Sequence, residues 1–112
     1  MRAPRLHRFL ELEAEMTTPD GAGGYVRSWV GMGMLPAEVR PGTGREAAGQ
    51  EVPLSSQGFR IRVRGAPQGA PSRPLAGQRF RDGQRRFAIL AVTEDDPDGR
   101  YLVCTAREED PA

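Results

Sequence analysis

The 112-residue sequence contains no lysine and no asparagine, and it has one cysteine and one histidine. A single cysteine, Cys104, excludes an internal disulfide and a zinc site built from cysteines. The only histidine, His7, lies near the N-terminus, where a catalytic triad would be poorly supported. The longest uncharged apolar run, residues 30–37, is far too short to span a bilayer. Acidic residues after the basic first positions argue against a secretory signal, which predicts synthesis in the cytoplasm and no membrane partner.

The composition favours strands over helices. Fourteen glycines and ten prolines break helices, and they disfavour a helix bundle. Leu, Ile, Val and Phe together number 21, which predicts a lean core, and a net charge of +1 argues against disorder. The length predicts a single domain over residues 1–112, with a core at 5–108 and a frayed tail at 109–112.

Alternation with a period of two marks the first strand. In residues 10–16 apolar and acidic side chains alternate, so one face is predicted to pack on a core and the other to face water. The core-facing set is Leu10, Leu12, Ala14 and Met16, and the solvent-facing set is Glu11, Glu13 and Glu15. Further strands are predicted at residues 25–30, 35–40, 59–64, 78–80, 86–92 and 100–106. Tight turns are predicted at Asp20-Gly21, Asp82-Gly83 and residues 94–99.

Together these segments predict a mostly all-β fold: a small antiparallel β-barrel or sandwich of six to seven short strands. A long irregular loop is predicted at residues 41–57. Thr43 and Glu46 have the spacing of a capping box, so one short helix over residues 44–51 is an alternative within that loop.

Charge is divided unevenly along the chain. Residues 1–52 carry a balance of −1, residues 53–93 a balance of +7 and residues 94–112 a balance of −5. Such asymmetry is compatible with nucleic-acid contact, with head-to-tail assembly, or with local pairing across a sheet.

Residue types that carry chemistry do not combine into a recognisable site. Cys104 alternates with Leu102 and is expected to be an inert core thiol. The acidic run Glu94, Asp95, Asp96 and Asp98 lacks the calcium-loop spacing and is interpreted as a solvated turn. We therefore predict no catalytic residue, no metal and no cofactor, and a protein that is not an enzyme.

The most suggestive pattern is an arginine ladder, Arg60, Arg62 and Arg64, on one face of the strand at 59–64. Guanidinium groups about 7 Å apart would form a continuous positive stripe that could follow phosphates. Cross-strand pairing with Glu11, Glu13 and Glu15, or contact with another subunit, explains the spacing equally well.

The order of features resembles the head–tail joining proteins (head-closure, stopper or head–tail adaptor proteins) of tailed bacteriophages and gene transfer agents. The resemblance covers roughly residues 5–108. It rests on "RLHRFLELE", "GGYVRSWV", "AEVRPGTGRE", "FRIRVRG", "AGQRFRDGQRRFAILAV" and "GRYLVCTAREE", taken in this order and spacing. The sequence departs from the family pattern at Leu35-Pro36, where a Trp is frequent, and in the proline-rich loop at 65–75.

The resemblance implies a small β-barrel that forms a homo-oligomeric ring, with a hexamer favoured over a dodecamer. Such a ring lies at the head–tail interface of a phage or gene-transfer-agent particle. It would contact the portal-bound adaptor, the tail terminator and, without sequence preference, the packaged double-stranded DNA, closing the DNA exit and docking the tail. We hypothesise that the 41–57 loop projects into the lumen or between subunits, with Arg45 and Glu46 at a contact. The alternatives are a solitary nucleic-acid-binding β-barrel and a scaffold that forms no ring.

Overall fold

The computed structural model describes residues 3–42 and 58–110, and in these ranges the chain is all-β. Its strands are β1 (Arg8–Pro19), β2 (Tyr25–Pro41), β3 (Gly58–Arg64), β4 (Arg79–Asp82), β5 (Arg85–Glu94) and β6 (Tyr101–Glu108). They pair antiparallel in the order β1-β2-β3-β6-β5-β4, and β4 pairs with β1 to close the barrel. This confirms the predicted all-β, antiparallel fold. The short helix considered over residues 44–51 lies outside the described residues. Within the described residues, no helix is long and apolar enough to cross a membrane.

Strand β2 corrects the prediction of separate strands at 25–30 and 35–40. It runs without a break for 17 residues, because β1 continues opposite it through the Gly-Met-Gly segment, with Leu12 facing Gly33 and Glu13 facing Gly31. Met32 is the extra residue of a β-bulge there, and Gly33 takes a φ of +120° that disfavours any side chain. The Gly-Met-Gly segment that lies between the two predicted strands therefore forms a bulge inside one strand.

The core is small and fills the barrel interior. Phe59 and Phe87 meet edge to face, with ring centroids 5.1 Å apart, an arrangement that aromatic pairs favour. The buried hydrophobic residues are Leu10, Leu12, Ala37, Phe59, Ile61, Val63, Phe80, Phe87, Ile89, Leu102, Cys104 and Ala106. They come from all six strands, so each strand contributes to one shared interior.

The alternation predicted for β1 is correct only in its first half. Leu10 and Leu12 are fully buried, but Met16 is 53% exposed and Glu13 only 5% exposed. The physical reason is that pairing of β1 with β4 ends at Glu13. Beyond that residue β1 and β2 leave the barrel as a two-stranded ribbon, so there is no interior for Met16 to enter. We call this ribbon, residues 14–30, the arm.

A tight turn at the arm's tip confirms the hairpin predicted at Asp20-Gly21. The Asp20 carboxylate accepts hydrogen bonds from the backbone N–H of Ala22 (2.7 Å) and Gly24 (3.0 Å), which lower the pKa of Asp20. Gly21 and Gly23 take φ values of +83° and +87°, a region that glycine enters without steric cost. The tip is thus a defined structure.

Candidate subunit and channel interface

The arginine ladder lies on the outer face of β3. Phe59, Ile61 and Val63 are buried in the core, which places Arg60, Arg62 and Arg64 together on the other face, as the alternation predicts. Arg60 and Arg62 are half-buried and Arg64 is exposed. The other two predicted contact residues, Arg45 and Glu46, lie outside the described residues.

Arg62 is held by carboxylates from two other parts of the barrel. Its Nε donates to Oδ2 of Asp95 at 3.0 Å, and its Nη1 lies 3.5 Å from Oε1 of Glu38. All three side chains are at least four-fifths covered, so the charge of Arg62 is largely compensated within the chain. The continuous positive stripe expected from the sequence is therefore broken at its middle position.

The pairing partners differ from those considered in the sequence. Strand β3 lies between β2 and β6, so it does not face the glutamates of β1. Two of those glutamates pair elsewhere: Glu15 with Arg27 on β2 and Glu13 with Arg79 on β4. The partners of Arg62 are Glu38 on β2 and Asp95 after β5, which the barrel topology brings beside it.

A shallow groove of about 290 Å³ lies next to the ladder on the outer faces of β3, β5 and β6. Its walls are formed by Arg60, Arg62, Ala91, Thr93, Asp95, Val103 and Thr105. Across residues 3–42 and 58–110, no three His, Cys, Asp or Glu side chains are grouped to hold a metal ion. The groove is lined mostly by side chains that can form hydrogen bonds, together with Ala91 and Val103.

A second cluster, missed in the sequence, fixes the base of the arm. Arg79 Nε donates to Oε1 of Glu13 at 2.6 Å, and the Arg79 Cζ lies 4.0 Å from the centroid of the Trp29 ring. Arg81 Nη1 lies 3.8 Å from Oε2 of Glu13, and Oε1 of Glu109 lies 3.9 Å from Nη1 of Arg79. Strands β1, β2 and β4 thus meet in one ion-pair and cation–π cluster, which sets the direction of the arm relative to the barrel. The sequence carries no signal for the contact because Glu13 and Arg79 are 66 residues apart.

The groups that carry nucleophilic chemistry are placed as the sequence suggested. Cys104 is fully buried, and burial raises its pKa to about 12, so its thiol is protonated at neutral pH. The His7 ring nitrogen Nδ1 lies 3.0 Å from the carbonyl oxygen of Arg5 at the exposed N-terminal segment. The two residues share no site.

The acidic turn after β5 is partly structural. The N–H of Asp95 donates to the carbonyl oxygen of Tyr101 at 2.9 Å, which confirms a turn at 94–99. The Asp96 carboxylate accepts a hydrogen bond from the Tyr101 N–H at 3.2 Å, and the Asp96 side chain is only 7% exposed. With Asp95 engaged by Arg62, the expectation of a wholly solvated turn is wrong for these two aspartates.

Comparison with known proteins identifies the fold. The sequence model of the phage head completion protein family matches residues 1–109. A chain from the virion of a native gene transfer agent particle is 52% identical, with a TM-score of 0.80, and the alignment covers 98% of this chain and 100% of that one. A protein from Shigella flexneri 2a, solved in solution, has the same fold at a TM-score of 0.73 and 22% identity, with full coverage of both chains. No protein of curated function is significantly similar in sequence.

The match extends over nearly the entire chain and includes every strand of the barrel. It confirms the resemblance identified from the sequence. It supports a role for the protein in the assembly of phage-type particles and its location in the particle. The chain belongs to the phage head completion protein family.

Proposed function

We propose that the protein forms a ring between the portal-bound adaptor and the tail, where it closes the DNA exit channel and docks the tail terminator. The observation that carries the proposal is the family match over residues 1–109, together with 52% identity to a chain of a gene transfer agent virion. The ring is homo-oligomeric, and we favour a hexamer over a dodecamer.

The distribution of charge supports head-to-tail contact. Residues 53–93 carry a balance of +7 and residues 94–112 a balance of −5. Part of this asymmetry is compensated within the chain, as between Arg62 and Asp95. Ring neighbours meet through two different patches, and opposite charges on the two sides favour that arrangement.

Arg64 is the ladder residue best placed for a contact outside the chain. It is exposed at the end of β3, and DNA phosphates or a neighbour's carboxylates would both be suitable partners. Arg64→Gln should lower the amount of DNA retained per particle, whereas Arg27→Gln, which removes an exposed arginine from the arm, should not. If particles with either variant retain the same amount of DNA, the proposed location of Arg64 on the channel surface is wrong.

The 41–57 loop is assigned the closing role, with Arg45 and Glu46 at a contact. Its two ends meet at a fixed base, because the N–H of Gly42 donates to the carbonyl oxygen of Gly58 at 2.8 Å. Residues 44–55 can therefore be removed while a four-residue connection, Gly42, Thr43, Ser56 and Gln57, still joins β2 to β3.

Deletion of residues 44–55 should yield a folded protein that enters particles but no longer retains their DNA. A variant of equal length, with these residues replaced by glycine and serine, separates the need for the sequence from the need for the length. Imaging of tagged particles should place the protein at the vertex between capsid and tail. DNA retention equal to wild type in the deletion variant would refute the closing role.

The solitary nucleic-acid-binding barrel makes opposite predictions. It requires absence from particles and an affinity for DNA that falls steeply with salt. The compensation of Arg62 by two carboxylates weighs against it, since it removes a charge from the middle of the candidate phosphate track.

A further inference from the structure

The arm presents one face without a single charged residue. On the side of β1 that carries Leu10 and Leu12, the paired residues of the arm are Ala14, Met16, Thr18, Val26, Ser28 and Val30. Met16 and Val26 are each 53% exposed. The opposite face carries the ion pair of Glu15 with Arg27 and the aromatic side chains of Trp29 and Tyr25. The charges of the arm are therefore confined to one face, and the large apolar side chains of the uncharged face are exposed in the single chain.

Such a ribbon is poorly stabilised by itself. A two-stranded hairpin is marginal in water unless a hydrophobic face packs on something. The cluster of Glu13, Arg79 and Trp29 fixes the arm only at its base. Beyond that base the apolar face needs a partner to contribute to stability.

A second apolar patch lies on the outer face of the same two strands, in the body of the barrel. Phe9 is 61% exposed and Met34 is 58% exposed. Phe9 pairs with Pro36, and Glu11 pairs with Met34, so the four side chains lie side by side. We call them the body patch. Glu11 is its only charged member.

We infer that the arm of one copy packs its apolar face on the body patch of the next copy in the ring, an inference that rests on the proposed ring. The two surfaces cannot meet within one chain, because they lie on opposite faces of the ribbon and Ser28 is about 20 Å from Met34 along β2. Two different patches on one chain make a heterologous contact, which closes into a ring when the rotation permits.

The chemistry of the two surfaces is complementary. Apolar side chains from the arm meet apolar side chains of the body patch, where their burial removes water from both. The hydroxyls of Thr18 and Ser28 are the polar groups of the arm face. The Ser28 hydroxyl lies 3.5 Å from the carbonyl oxygen of Met16, to which it donates, and the Thr18 hydroxyl can donate to the Glu11 carboxylate. A partner with a strongly charged surface would bind less well, because its charges would lose water on the arm without gaining a partner of opposite charge.

The size of the contact explains when it would form. Six residues of a two-stranded ribbon cover about 200 Å² in projection, against about 800 Å² per partner in a stable complex. The arm would therefore not hold a dimer in dilute solution. It adds to the contacts between neighbours that the particle already aligns.

Site-directed disulfides test the geometry. In particles that carry Ser28→Cys with Met34→Cys, mild oxidation should produce a ladder of cross-linked oligomers. A bond within one chain is excluded, because the two Cα atoms are much more than 7 Å apart. Thr17→Cys with Met34→Cys is the matched control: Thr17 lies on the charged face of the arm, and this pair should give no ladder. Alkylation during denaturation prevents Cys104 from contributing bonds.

Charge insertion tests the apolar face. Met16→Glu should reduce incorporation into particles at least about tenfold relative to Thr17→Glu, because only the first change buries a charge at the contact. Both variants should unfold at similar urea concentrations, since both side chains are exposed in the single chain.

The outcomes separate the two levels of the proposal. A protein found at the vertex, with no ladder from the Ser28–Met34 pair or with normal incorporation of Met16→Glu, would overturn the arm contact and leave the proposed ring intact. A wild-type protein absent from particles would overturn both.

Discussion

Truncation of Arg79 is the sharpest test of how the barrel holds its arm. Arg79 donates to Glu13 at 2.6 Å, and the two side chains are 13% and 7% exposed. Arg79→Ala leaves the Glu13 carboxylate covered and without its main partner, a change that costs about 3–5 kcal/mol for a buried pair. Because the cluster lies at the rim, where water can enter, we expect the lower end, about 3 kcal/mol. With a urea m-value of about 2 kcal/mol/M, the unfolding midpoint should fall by about 1.5 M.

The matched control is Arg81→Ala. Arg81 is 49% exposed and lies 3.8 Å from the same carboxylate, so its loss should cost less than about 1 kcal/mol. In the double variant Arg79→Ala with Glu13→Ala, the loss of unfolding free energy should be smaller than the sum of the two single losses by about 1–3 kcal/mol, because neither member of the covered pair is left without its partner. Equal midpoints for the Arg79 and Arg81 variants would refute the assignment of the cluster as the anchor of the arm.

Three further predictions concern single positions. Cys104 should resist alkylation at pH 8 in the folded protein and react once urea unfolds it, because burial raises its pKa to about 12; rapid labelling of the native state would contradict its burial. Gly65→Ala should destabilise the protein by more than about 2 kcal/mol, measured by urea unfolding, because the new Cβ would overlap the carbonyl oxygen of Gly99. Hydrogen bonds from Arg85 lower the pKa of Glu108 below its usual 4.5, so this pair stabilises the fold at neutral pH and the stabilisation is lost as the pH falls through the lowered pKa. The difference in unfolding free energy between wild type and Glu108→Gln should be below about 1 kcal/mol at pH 7 and should become smaller in acid. A difference that becomes larger in acid would show that the pair does not stabilise the fold through the ionised Glu108 carboxylate.

The sequence predicts the strands well where the pattern is local. Alternation in residues 59–64 places Phe59, Ile61 and Val63 in the core, and the turns at Asp20 and Asp82 follow from glycine-containing dipeptides. The long β2 was not predicted, because its continuity depends on pairing with β1 through a glycine-rich bulge. A single-strand pattern contains no information about its partner.

For the candidate interface too, the sequence predicts the features that depend on one strand and not those that depend on pairing between strands. The outward direction of the arginine ladder follows from a period of two, but the compensation of Arg62 depends on Glu38 and Asp95, which the closed sheet brings from two other places. The exposure of Met16 could not be predicted either, since an apolar position on an alternating strand has the same sequence signature whether or not the barrel extends to it. Only the end of the pairing between β1 and β4 decides this.

The position of β6 in the barrel has a consequence for folding and its timing. Strand β6 is the last of the six described strands to be synthesised, yet it lies between β3 and β5 and pairs with both. Until synthesis has passed residue 108, β3 and β5 each lack a neighbour and the interior is open to water. Sheets that depend on such distant pairings fold slowly. The groove, whose walls come from β3, β5 and β6, therefore exists only after the chain has been made through residue 108.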